Sequence, residues 1–296
     1  GTYALDALTT ANNSVAVGYG ALTTNTVSAE NTAVGKGALE TFNVGSGNGY
    51  NTAVGSGAGG AATTGTLNTL IGGLAADALT VGRYNAALGY SALGYDQEGD
   101  YSTAIGYQTL ATQRSDGTNQ AVYNTAVGAS AGVALTTAIR STFVGGLAAG
   151  SGTVTGDNNT GVGYSALLSL TSGTSNVAVG SYALDANTTG AANVAIGKNA
   201  LGANTTASNN TALGDAALLV NTTGADNTAV GYAALDANTT ASNNTAVGKN
   251  ALTANTTGTA NVAVGASALK TVTTASYNVA VGTSSLETNA GANNTA

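Results

Sequence analysis

The chain has no Cys, His, Pro, Met or Trp among its 296 residues. Without Cys there is no disulfide framework, thiolate nucleophile or iron–sulfur site, and the redox compartment cannot be read. Without His, the commonest general base and metal ligand is missing. Charge is scarce as well: 7 basic and 14 acidic residues leave a net charge of -7. Seven dispersed cations cannot track a phosphate backbone, so no nucleic-acid partner is expected. No apolar run reaches the roughly 18 residues of a membrane helix, and no charged segment leads into an apolar one. No membrane insertion and no signal peptide are therefore expected within this segment.

Gly, by contrast, occurs 43 times, and its placement is periodic. Seventeen glycines, from Gly1 and Gly18 to Gly265 and Gly282, close a motif that reads Asn-(Thr/Val)-Ala-(Val/Ile/Leu)-Gly. Thirteen of the 16 intervals between them are 17 residues long, and the last seven are all 17. A helical solenoid needs two helices per repeat, roughly 33 to 47 residues, so this period excludes it. Seventeen residues suit one coil of a parallel β-solenoid. The expected fold is all-β, with a strand ending at the Gly and a second turn in the Asn-Thr-Thr-Gly stretch. Coils then stack by backbone hydrogen bonds at about 4.8 Å.

Each column of the repeat carries an expectation. The apolar residue before Gly (Val179, Ile196, Leu213, Val230, Val247, Val264) and the Leu four after it (Leu184, Leu201, Leu218, Leu235, Leu252) are the expected core. The Thr or Val two places before the former shares its face, and the Ala between them faces away. The Asn that opens the motif (Asn176, Asn193, Asn210, Asn227, Asn244, Asn261, Asn278) is expected to form an amide ladder at a corner, bonding coil to coil. A coil this narrow buries few side chains. A homo-oligomer is therefore expected, most simply a trimer, with outward Ala columns such as Ala229, Ala246 and Ala263 near the contact.

The repeat is irregular over residues 1–162 and regular over 163–296, and the whole is expected to be one continuous solenoid. Phe42 to Tyr50 adds three residues, Gln113 to Tyr123 adds five, and one more lies between Gly145 and Gly163. Insertions in solenoids map to turns, often on a binding face. The loop with Gln113, Arg114 and Asp116 is thus a candidate receptor contact, against the alternative of ordinary loop drift. The first residue is Gly1, and the sequence stops inside a motif at Ala296. The reading expects a segment of a longer fibre, or ends covered by neighbouring copies.

No catalytic constellation emerges, and neither an enzyme nor a cofactor is expected. Ser is plentiful but no His can activate it. Asp96, Glu98 and Asp100 cluster without the loop pattern of a calcium site. Six successive coils carry Thr-Thr pairs, from Thr188/Thr189 to Thr273/Thr274, like the Thr arrays of ice-binding solenoids. Adjacent strand residues point to opposite faces, however, so a turn role is preferred. Tyr after the motif Gly (Tyr19, Tyr90, Tyr107, Tyr164, Tyr232) either contacts sugars or proteins or covers the next coil. The Asn-Thr-Thr and Asn-Asn-Thr triplets match glycan acceptors, but recur with the fold and need only a turn role.

Asn176-Val-Ala-Val-Gly180, Asn193-Val-Ala-Ile-Gly197 and Asn261-Val-Ala-Val-Gly265 resemble the head repeats of trimeric autotransporter adhesins and related repeats of phage tail fibres. The resemblance covers nearly the whole chain. It implies a left-handed, homotrimeric β-roll, extracellular or virion-borne, that binds host matrix or a host surface receptor; a glycan partner is instead the expectation from the exposed Tyr residues. The 17-residue period departs from that family's shorter repeat. The expected function is a non-enzymatic adhesive fibre. The alternatives are a structural filament stacked end to end and an ice-binding solenoid.

Overall fold

A computed structural model describes residues 1–10, 12–115, 117, 120–288 and 291–296. The chain forms two compact units, Gly1–Gly150 and Ser151–Ala296. Each holds eight three-residue strands: β1 (Val15–Val17) to β8 (Thr142–Val144) in the first, and β9 (Thr160–Val162) to β16 (Val279–Val281) in the second. No helix forms among the described residues. Within each unit, successive strands pair in parallel and in chain order. Equivalent repeat positions face each other, as in Ala178↔Ala195 and Thr228↔Thr245. The fold is an all-β parallel solenoid with one coil per repeat of about 17 residues.

Backbone geometry explains the invariant Gly. The motif glycines of the second unit have φ between 130° and 140°, a region that a Cβ forbids. They also stack tightly: a Cβ on Gly180 would lie 2.5 Å from the Gly197 carbonyl oxygen. The Leu column is less orthodox. Leu184, Leu201, Leu218, Leu235 and Leu252 adopt φ of 50–53°, a left-handed conformation that costs a residue with a Cβ about 1–2 kcal/mol. All five are fully buried, which returns about 1.5–3 kcal/mol each and holds the turn in place.

The core differs from the sequence reading on one face. Val179, Ile196, Leu213, Val230, Val247 and Val264 do not fill it. They lie on the outer face, with Leu213 44% exposed, while the central strand residues Ala178, Ala195, Ala212, Ala229, Ala246 and Ala263 are fully buried. The expected alternation holds, but with inside and outside exchanged. The reason is volume: Ala fits the narrow space opposite the Leu column, and a β-branched residue does not.

Two coils of the first unit reveal this fit. Gly59 and Gly132 stand where Leu normally does, and Leu70 and Phe143 stand at the Ala position of the following strands, β4 (Thr69–Ile71) and β8. A Cβ on Gly59 would meet Leu70 Cδ1 at 2.7 Å, and one on Gly132 would meet Phe143 Cδ2 at 3.3 Å. The Leu and Ala columns therefore share one slot, and a large residue on one side requires a small one on the other.

Candidate functional site

Two amide ladders run through the second unit. The motif Asn residues form the first, fully buried at Asn176, Asn193, Asn210, Asn227, Asn244, Asn261 and Asn278. Asn193 shows the pattern: its backbone N–H donates to Asn176 Oδ1 at 3.0 Å, and its Nδ2 donates to the same oxygen at 3.1 Å and to the Ala207 carbonyl at 2.8 Å. The backbone link recurs at Asn210, Asn227, Asn244, Asn261 and Asn278, at 2.9–3.0 Å.

The second ladder was not anticipated. Asn187, Asn204, Asn221, Asn238 and Asn255, three residues after each Leu, are also fully buried. Each Nδ2 from Asn204 onward donates to the preceding Asn Oδ1 at 2.8–3.1 Å. The sequence reading gives these residues only a turn role. Their strict 17-residue recurrence was the signal that they form a column. They are also the acceptors of the Asn-Thr-Thr triplets, so in the folded chain those triplets are closed to a glycan. The first Thr of five of the six pairs is engaged too, with the Thr188, Thr205, Thr222, Thr239 and Thr256 hydroxyls donating to the next coil's carbonyl at 3.0–3.3 Å.

The exchanged strand face leaves an outward row in each unit. In the second it pairs Thr or Val with Val, Ile or Leu on every strand from β9 to β16, half-buried to exposed and free of charge. An oligomer contact through the Ala columns is therefore corrected: those residues are inside the coil, and the outer face carries Thr, Val, Ile and Leu.

The five-residue insertion builds a polar cluster inside the first unit. Gln113 is fully buried, as is Asp96 one coil earlier. Gln113 Nε2 donates to Asp96 Oδ2 at 2.6 Å and to Ser102 Oγ at 2.8 Å, while Asn124 Nδ2 donates to Gln113 Oε1 at 3.0 Å. Ser115 donates to Asp96 Oδ1 from its backbone N–H (3.1 Å) and hydroxyl (2.9 Å). Gln113 is thus an internal strut and not a surface contact. Arg114 lines a cleft of about 390 Å³ with Ala78, Tyr95, Gln97, Glu98 and Ser115. Asp116 lies outside the described residues. A second, more open groove of about 330 Å³ runs past Tyr19, Lys36, Glu40 and Asp77.

Among the described residues no three carboxylates gather as a metal site, and Asp100 pairs instead with Arg83 at 3.6 Å. Tyr84, Tyr101 and Tyr123 stack at 4.8 and 5.0 Å, and Tyr90 stacks on Tyr107 at 5.8 Å. These rings cover one another, one coil on the next. Burial holds the carboxyls of Asp77 and Asp185 above the usual range. No helix of the described residues is long and apolar enough to cross a membrane. No protein-family model matches the chain, and no curated protein matches it either.

Proposed function

We propose that this chain is a non-enzymatic structural fibre protein that self-associates and presents a rigid solenoid for surface attachment, outside the cell or on a virion. One observation carries the self-association: the uncharged outward row of Thr, Val, Ile and Leu on consecutive strands, with Ile196 38% and Val281 61% exposed. Uncharged rows rich in exposed aliphatic side chains mark interaction sites. The repeat resemblance points to a homotrimer of left-handed coils with this row facing the threefold axis.

The insertion cleft supports attachment over a purely structural filament. There Arg114 and Ser115, from the insertion, line a cleft together with Tyr95 and Glu98. Ice binding through the Thr-Thr pairs is disfavoured, because their first hydroxyls are bonded within the solenoid.

Sedimentation equilibrium tests the proposal. The wild-type chain is expected to sediment as a trimer. Val230→Asp with Val247→Asp is expected to give folded monomer, because both residues point outward. A folded wild-type monomer at micromolar concentration would refute the self-association. Thermal hysteresis of the same sample is expected to equal that of buffer.

A further inference from the structure

We infer that the cleft beside the insertion is a binding site for a neutral saccharide. The inference rests on the attachment reading and deepens it by naming the ligand class.

The lining combines an aromatic ring with a polar rim. Tyr95 is 60% exposed, and its ring joins none of the tyrosine stacks formed among the described residues. Every other tyrosine within one coil of it, Tyr84, Tyr90, Tyr101 and Tyr107, is stacked. An open ring face of this kind takes the C–H face of a sugar, with an aromatic body below and polar groups at the rim. Gln97, Glu98, Arg114 and Ser115 provide that rim. Together they offer amide, carboxylate, guanidinium and hydroxyl groups, which suit the mixed donors and acceptors of sugar hydroxyls. A volume of about 390 Å³ lies at the small end of ligand pockets, the size of one or two sugar rings.

Other ligand classes fit less well. An anion would meet one cation, Arg114, and the Glu98 carboxylate in the same lining, in a chain of net charge -7. A peptide adding as a strand would need unpaired backbone. Here the Tyr95 N–H donates to Ala111 O at 3.1 Å, the Arg114 N–H donates to Thr136 O at 2.9 Å, and Gln97 O accepts from Thr80 and Val81 at 2.8 and 3.2 Å. The rim is also held in place. Buried Asp96 accepts both bonds from Ser115, and the Arg114 backbone is tied to the next coil. A site fixed in this way binds without first paying an ordering cost.

Saturation-transfer NMR on the full chain tests the inference, with methyl β-glucoside and N-acetylglucosamine as neutral probes and N-acetylneuraminic acid and inorganic phosphate as anionic ones. Neutral sugars are expected to bind. Tyr95→Ala is expected to weaken them about tenfold through loss of the stacking face. Tyr95→Phe is expected to retain binding within about twofold, with unchanged melting in both variants. Neutral binding indifferent to Tyr95→Ala, binding of the anionic probes alone, or no binding of any probe would overturn the inference. Protein-coated beads separate this from the attachment reading. Attachment to cells that needs Arg114 yet survives enzymatic removal of surface glycans overturns the saccharide class while leaving attachment intact. Beads that attach to no cell surface overturn attachment itself.

Discussion

The two units use the same coil but fill one of its interior columns differently. Three residues after the Leu, the second unit places Asn in five successive coils, from Asn187 to Asn255. The first unit places Asn25, Phe42, Ala62, Leu79, Asp96, Gln113 and Leu135 there. Where neighbours are identical, each amide bonds the next as well as the carbonyl of its own turn, at 2.9–3.1 Å from Asn187 to Asn255. Where they differ, every buried polar group needs its own partner. Asn25 turns to Ser28, donating to its carbonyl at 2.8 Å and accepting from its N–H at 3.0 Å, and Asp96 depends on Gln113 and Ser115. Regularity is thus a form of polar satisfaction, and irregularity opens room for a cleft. The boundary cost is visible at Asn255, whose Oδ1 is buried without a hydrogen-bond partner where the ladder meets Val272.

The largest effect is expected in the apolar slot of the first unit. Phe143→Ala should destabilise by about 3–5 kcal/mol, measured by denaturant unfolding. Gly132→Leu alone should overpack the slot by about 1–3 kcal/mol. The double variant restores the arrangement of ordinary coils and should recover most of both losses. Strictly additive losses would mean that the two columns do not share space.

That slot also explains what could be read in advance. The period, the motif Asn ladder and the Leu column were legible, because polar or bulky identity at a fixed spacing leaves one placement. The strand face was not. Thr-Ala-Val is apolar on both sides over three residues, so hydropathy cannot choose between them. Interior volume chooses, and its trace lay in two substitutions, Gly59 with Leu70 and Gly132 with Phe143. The Asp96–Gln113 strut was illegible for another reason: its partners are brought together by coil stacking across an insertion and not by any repeated spacing.

A middle effect sharpens the contrast between the units. Asn221→Leu breaks the second ladder at its centre, leaving Asn204 Oδ1 and Asn238 Nδ2 without their ladder partners. Asn255→Leu acts at its end and removes an unpartnered oxygen. Thermal unfolding should show Asn221→Leu to be the more destabilising by about 1–3 kcal/mol. Equal losses would mean that the ladder adds nothing beyond each amide's bond to its own turn.

The smallest effect compares the residue after Leu184 with its counterpart in the first unit. Asp185 and Asp77 both have carboxyls raised by burial, so the folded state holds their protons more tightly than the unfolded chain does. Stability must then fall as pH rises from the ordinary carboxylate value through the raised one. Asp77→Asn and Asp185→Asn should each flatten that decline in melting temperature and leave stability below pH ~3 unchanged. An unaltered slope in both would contradict the assignment.

The central claim is that every 17 residues return the chain to the same column one coil further on. The native chain has no Cys, so two spin labels can be placed without background. Ser172 and Thr257 are exposed, in the same column, five coils apart within the second unit. Dipolar EPR on Ser172→Cys/Thr257→Cys, diluted with unlabelled chain, should give one narrow distance near 24 Å, five times the ~4.8 Å strand spacing. A broad distribution, or a distance far from that value, would contradict the solenoid.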